Sequence, residues 1–212
     1  MAAPPRDRLL SAARELFFQQ GFARVSTDAL AKAASVSKAT LYKHFPSMEA
    51  VLRAVVEREV DGFERGVPIT VATAAAFRAA LVQYGTNLLD FLNQPDIIRF
   101  AQLMFEEARG NRGLAGDFYD SAYGRTQNDL AQLIQQGLDR GDLRSSLPAA
   151  ELAEQLLGLW EGFGFIRALL GLTPQPFPDP GTWSEACVGT FLAGQGSAPP
   201  QGDDPTPSRA DP

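Results

Sequence analysis

The chain has 212 residues, enough for one large or two small domains with a substantial core, and a formal charge of −6 that taken alone disfavours a nucleic-acid partner. A single cysteine, Cys187, excludes an internal disulfide framework and a cysteine zinc cluster and suits a reducing cytoplasm. No apolar run approaches the roughly 18 residues of a membrane span, and the opening Met1-AAPPRDR lacks a signal-peptide apolar region, so the sequence predicts a soluble cytoplasmic protein with no membrane partner.

The charge is unevenly placed. Residues 1–50 hold seven Lys/Arg against four Asp/Glu, whereas residues 51–212 hold twelve against twenty-one. All three lysines and the lone histidine fall on one short segment, as Lys32, Lys38, Lys43 and His44. This pattern predicts a small cationic head on an acidic body that would itself avoid DNA.

In chain order, helical periodicity runs almost throughout and strand signals are absent, which predicts an all-α protein: a three-helix N-terminal head joined to a larger helical body. Residues 1–5 and 194–212 read as disordered termini, 6–50 as the head and 51–193 as the body. Leu9, Ala13, Leu16 and Phe17 form the stripe of a first helix closed by Gly21. Thr27 is placed to cap a second helix, and Ser37 a third that runs from Lys38 to Phe45 and stops at Pro46. Ser47 then caps a fourth. The body reads as helices at about 73–93, 96–109, 114–139, 149–171 and 181–193, separated by Pro- and Gly-rich breaks.

The third helix carries the chemistry. At 100° per residue Leu41 and Phe45 lie together and face the head's own core, leaving Ala39, Thr40 and Lys43 opposite and Tyr42 and His44 on the flanks. A small Ala39 permits close approach to a major groove, Thr40 and Lys43 can reach base edges or phosphate, and Tyr42 and His44 can grip the backbone on either side. Lys38 and the amides after Ser37 add an anion site. The alternative is an ordinary amphipathic surface helix. An enzyme lacks the inventory: there is no Gly-rich phosphate loop, His44 and Cys187 lie far apart, and no metal-ligand spacing occurs, so no catalytic residue, metal or cofactor is predicted.

The segment Val25-STDALAKAASVSKATLYKHFPSMEAVL resembles the N-terminal domain of the TetR family of transcriptional regulators. That resemblance implies that Thr27 opens the first helix of a helix-turn-helix, that Lys38–Phe45 is the recognition helix, and that the chain binds double-stranded operator DNA as a homodimer. Thr27, Ser37, Lys38, Ala39, Thr40, Tyr42, Lys43 and His44 are then the DNA-contacting set. Two positions depart from the family pattern. Ser35 stands where the turn usually has glycine, and Met48 stands where the family has a phosphate-touching lysine, an ionic contact methionine cannot make. The alternative that these departures leave open is a helical interaction protein whose head no longer binds DNA.

Along 149–171, Leu152, Leu156, Leu159, Phe163, Ile166 and Leu170 form a seam spaced alternately by four and three residues, and Gly158, Gly162, Phe165, Leu169 and Leu172 form a second about 100° away. One stripe packs on the body; the second, with Gly158, Gly162, Phe165 and Leu169, invites the partner subunit, in the place where the resemblance implies a four-helix dimer interface. The resemblance also implies a cavity for a small apolar or amphipathic effector among the middle helices. Tyr84, Asn87, Phe91, Gln102, Met104, Phe105, Glu106, Tyr119, Tyr123 and Trp160 are its candidate lining, a few polar groups on an apolar wall.

Overall fold

The computed structural model describes residues 3–61, 71–110 and 112–195. Every regular element among them is helical. Helix α1 (Pro5–Gln20) begins on a proline at its first position, where the missing N–H costs nothing, so the ordered chain starts inside the segment predicted to be disordered. Gly21, at φ 81°, closes α1 with its N–H on the Phe17 carbonyl at 2.9 Å. Leu9, Leu10, Ala13 and Phe17 are the buried face.

Helices α2 (Thr27–Ala33) and α3 (Lys38–His44) follow. Ser26, not Thr27, caps α2: its hydroxyl accepts from Ala29 N at 3.1 Å, and Thr27 is already the first helical residue. Serine is the stronger N-cap of the two adjacent hydroxyl residues, which favours the start one residue earlier than predicted. Ser37 caps α3 through Thr40 N at 3.1 Å, as the sequence indicates. Between the two helices Ser35 adopts φ 53°. Its N–H reaches Lys32 O at 3.1 Å and Val36 N reaches Ala31 O at 2.9 Å, the bond pair of a left-handed helix stop. Serine therefore performs the glycine's turn and bears its strain, of roughly 1 kcal/mol.

Helix α4 (Met48–Asp61), capped where Ser47 Oγ accepts from Ala50 N at 3.2 Å, leads out of the head. Its Val51, Leu52, Val55 and Val56 are buried with the head's core, and that cluster continues into Phe100, Leu103 and Met104 of α6 (Pro95–Ala108) and Leu114 of α7 (Arg112–Tyr119). Head and body thus share one apolar seam.

The body core is built from α5 (Ala74–Leu92), α8 (Arg125–Arg140), α9 (Ala149–Glu161), α10 (Gly164–Leu169) and α11 (Pro180–Gln195), with α5 packed along α11 and α8 along α9. Gly85 of α5 is required by packing: a Cβ there would collide with Trp160 and Ser184. Two predicted helices are interrupted. The 114–139 stretch passes through a wide π turn, Asp120–Gly124, between α7 and α8. The 149–171 stretch breaks at Gly162, φ 44°, separating α9 from α10. The last helix extends to Gln195, two residues into the segment predicted as a disordered tail; residues 196–212 lie outside the described residues.

Candidate functional site

On the head, Leu41 and Phe45 are buried and Lys38, Ala39, Tyr42, Lys43 and His44 are exposed. Tyr42 is one of the few large apolar side chains left half in solvent, at 51% exposure. Thr40 is half-buried because its hydroxyl pairs with Ser37 Oγ at 2.9 Å, and Thr27 is half-buried at the start of α2. Lys38 Nζ is held by Asp28 Oδ1 at 2.8 Å, so the two helices of the motif are tied by an exposed ion pair that a phosphate would compete for. Arg8 Nη1 donates to Ser35 O at 3.3 Å and supports the turn from α1. Of the eight predicted residues, six are exposed and Thr27 and Thr40 half-buried, on α2, on α3 and at the cap between them.

Below the head, α4, α5, α6, α7, the π turn, the start of α8, α9 and α10 enclose a cavity of about 80 Å³. Phe91, Phe100, Phe118, Leu157 and Phe165 belong to its apolar wall, and Glu59, Tyr123, Thr126 and Glu161 are its polar members. The π turn places Phe118 and Tyr123, five residues apart, on one surface, with ring centroids 6.0 Å apart and perpendicular. Thr126 Oγ1 donates to Ala122 O at 2.7 Å, and Tyr84 donates to Thr126 O at 3.0 Å, which fixes the turn from behind. Burial pushes the Glu161 carboxyl up to about 7. Burial, and then the neighbouring Glu161, pushes the Tyr123 phenol up to about 12.

Of the ten residues predicted to line a cavity, Phe91 and Tyr123 do so. Tyr84 and Trp160 are fully packed in the body core, stacked on each other at 6.1 Å. Gln102 donates its amide to Leu169 O at 2.9 Å, tying α6 to α10. Met104 belongs to the seam between head and body. Phe105, Glu106 and Tyr119 are exposed, and Asn87 accepts from Gln83 at 2.6 Å on the outer side of α5. Sequence reasoning does not pick out Glu59 or Glu161. A signal for Glu161 exists nonetheless: it is the only charged residue between Gln155 and Arg167, in an otherwise apolar run.

The break at Gly162 also exchanges the two predicted seams. Leu152 and Leu156 point inward along α9, but beyond the break Phe165 is buried and Leu169 half-buried, while Phe163, Ile166 and Leu170 turn outward. Phe165 and Leu169 thus belong to their own subunit's packing; Gly158 and Gly162 remain on the exposed side. Six of the nine exposed large apolar residues among those described, Leu159, Phe163, Ile166, Leu170, Leu172 and Trp183, fall on this part of the chain, with Phe163 at 79% exposure. An apolar patch so concentrated marks an interaction surface.

The head and the cavity touch. Arg14 of α1 binds Glu59 of the cavity wall at 2.9 Å and Asp96 of α6 at 2.8 Å, and its guanidinium lies over the Phe18 ring. Phe18 packs on Phe100, and Phe100 on Phe118, at ring distances of 5.8 and 5.7 Å.

The family model described as bacterial regulatory proteins, tetR family, matches residues 9–55, and the AefR-like transcriptional repressor C-terminal domain matches residues 79–194. The chain belongs to the TetR family. A solved relative, the flavonoid-responsive regulator FrrA, is 31% identical with a TM-score of 0.75 over 92% of this chain and 98% of its own. The transcriptional regulator UidR of Escherichia coli is 46% identical over 60 residues, 28% of this chain, so the match spans only 31% of that protein. EthR of Mycolicibacterium smegmatis is 27% identical over 70% of this chain and 67% of its own length. Helix α3 lies within the N-terminal match, and the cavity is lined mainly by residues of the C-terminal match together with Glu59 of α4. No described helix is long and apolar enough to cross a membrane.

Proposed function

We propose that this TetR-family DNA-binding regulator is a dimeric repressor, released from a palindromic operator by a small apolar effector that enters the cavity between α4 and α10. The observation that carries this reading is the position of Glu59, which is at once cavity wall and partner of Arg14 in the head. A cavity of about 80 Å³ is narrower than the roughly 300–1,000 Å³ of ordinary ligand sites, so an effector of useful size must push its walls apart. Movement of α4 relative to α1 would alter the spacing of two recognition helices, and operator affinity depends on that spacing. The Phe91, Phe100 and Phe118 rings favour an aromatic effector, and the flavonoid response of the relative FrrA points the same way.

In this reading Thr27, Ser37, Lys38, Ala39, Thr40, Tyr42, Lys43 and His44 meet the DNA, and the patch of Leu159, Phe163, Ile166 and Trp183 meets the second subunit. The test is fluorescence anisotropy of DNA from the gene's own promoter region, titrated with protein and then with aromatic compounds. Release by a compound that also binds the free protein supports the proposal. By linkage, operator DNA must then weaken that compound's binding by the same factor.

A further inference from the structure

Glu161 is the carboxylate of the cavity that no hydrogen bond or ion pair holds among the described residues, and the neighbouring Tyr123 hydroxyl is likewise without a hydrogen bond there. Glu59 is taken by Arg14, and Thr126 Oγ1 donates to Ala122 O. Among the described residues no hydrogen bond or ion pair reaches the Glu161 carboxylate, although it ends α9 against Phe91, Leu157 and Phe165 on an apolar wall. Glu161 is half-buried, and a partly desolvated carboxyl without a hydrogen-bond partner is disfavoured in its charged form, so a molecule that brings a donor to it recovers part of that cost.

Resting on the effector-released reading above, we propose that the effector is an apolar molecule presenting one N–H or O–H donor to Glu161, and that molecules bearing a carboxylate are excluded. An ammonium and a phenol share this chemistry; both donate to a carboxylate and both have apolar bodies that suit the aromatic wall. An anion would face Glu161 directly and find Glu59 beside it, with the compensating Arg14 already committed to Glu59 and Asp96. The groups facing Glu161 are Tyr123 and the Arg14-bound Glu59 from the cavity, and Arg167 and Asp179 from the outer groove that Glu161 also borders. Tyr123 stays protonated at neutral pH. Arg167 makes no ion pair with Glu161 among the described residues, and burial brings the Glu161 carboxyl up to about 7. A donor favours the ionised carboxylate and so displaces its proton, whereas a donor-free molecule favours the protonated form. Binding of donors therefore strengthens as pH rises through about 7.

The experiment is calorimetry of the full-length protein with four probes: phenethylamine, 4-ethylphenol, the donor-free propylbenzene and the anionic 3-phenylpropanoate. Both donors should bind at least about tenfold more tightly than propylbenzene at about pH 8, and their affinity should fall on the order of tenfold between about pH 8 and about pH 6, following the ionised fraction of a group that titrates near 7. Propylbenzene affinity should stay level or rise over the same fall in pH, and 3-phenylpropanoate should not bind. Glu161→Leu should abolish the donor preference while keeping propylbenzene binding, which also reports that the cavity is intact. Glu161→Gln should abolish the pH dependence. Binding by only one of the two donors identifies which source the site prefers and upholds the proposal. Equal binding of propylbenzene and the donors, tightest binding by 3-phenylpropanoate, a donor preference that survives Glu161→Leu, or no binding of any probe overturns it. Release of promoter DNA by a bound donor-free probe would overturn this inference and leave the effector-released regulator standing; a protein that binds no promoter DNA would remove both.

Discussion

Arg14 Nε lies 2.9 Å from Glu59 Oε1, so a residue of the first head helix and a residue of the cavity wall are one ion pair. Arg14 keeps 27% side-chain exposure and Glu59 only 10%, so the pair is partly screened on one side and its loss leaves the more buried carboxylate with only the longer Arg58 contact at 3.9 Å. Arg14→Met should destabilise the protein by about 1–2 kcal/mol in urea unfolding, reduced from the buried-pair range because of that exposure. If the pair transmits occupancy of the cavity to the head, the variant should also bind an effector with little change yet release DNA less completely. Undiminished release by Arg14→Met would show that the Phe18–Phe100 contact, or another route, does the coupling.

Ser35 carries about 1 kcal/mol of strain in a left-handed conformation that glycine adopts freely. Ser35→Gly should raise stability by about 0.5–1 kcal/mol, because relief of the strain exceeds the extra entropy of the unfolded chain. Thermal or urea unfolding checks this, and an unchanged or lower midpoint would mean that the turn is unstrained.

The Glu161 carboxyl, raised by burial from 4.5 to about 7, gives a signed pH effect. Between those values the folded protein holds a proton that the unfolded chain has lost, so stability falls as pH rises through the window and levels off above it. Glu161→Gln removes this dependence. The variant should therefore gain on the wild type progressively from about pH 4.5 to about pH 7, by at most about 3 kcal/mol, in urea unfolding at fixed protein concentration. A constant difference across that range would contradict the assignment of the burial.

The head is legible in the sequence because a short helix with two inward residues leaves little freedom: Leu41 and Phe45 decide which side Lys43 faces. The body is harder to read for identifiable reasons. Periodicity assumes 3.6 residues per turn, and the π turn at Asp120–Gly124 adds a residue, which moves Tyr123 into the cavity and leaves Tyr119 outside. Gly158 and Gly162 read as a close-approach pair on a continuous helix, whereas Gly162 ends that helix and exchanges its faces. The pair of glycines around Phe163 is the available signal for the break. The polar tips of Trp160 and Tyr84 suggest a pocket, but Gly85 opens a socket in the core that sequence spacing does not reveal.

The exchanged faces give a prediction about assembly. Phe163 is 79% exposed in the single chain and packs on little of it, so Phe163→Glu should leave the subunit folded and dissociate the dimer. Sedimentation velocity at micromolar concentration should show a dimer for the wild type and a monomer for the variant, with unchanged helical content by circular dichroism. A wild type that is monomeric under those conditions would rule out the proposed interface.

The measurement that bears most directly on DNA reading by α3 is the affinity of wild type, Tyr42→Phe and Lys43→Ala for promoter DNA and its single-base substitutions across several salt concentrations. Tyr42→Phe removes an exposed hydroxyl at the edge of the α3 face and should weaken all sequences about equally. Lys43→Ala removes the central cation of that face. It should cost more: about 1–3 kcal/mol with relaxed preference at one position per half-site if Lys43 meets a guanine edge, or a salt slope lower by about one unit for each phosphate that Lys43 neutralises. Wild-type affinity, base preference and salt slope in both variants would mean that α3 does not read DNA, and would contradict the central claim.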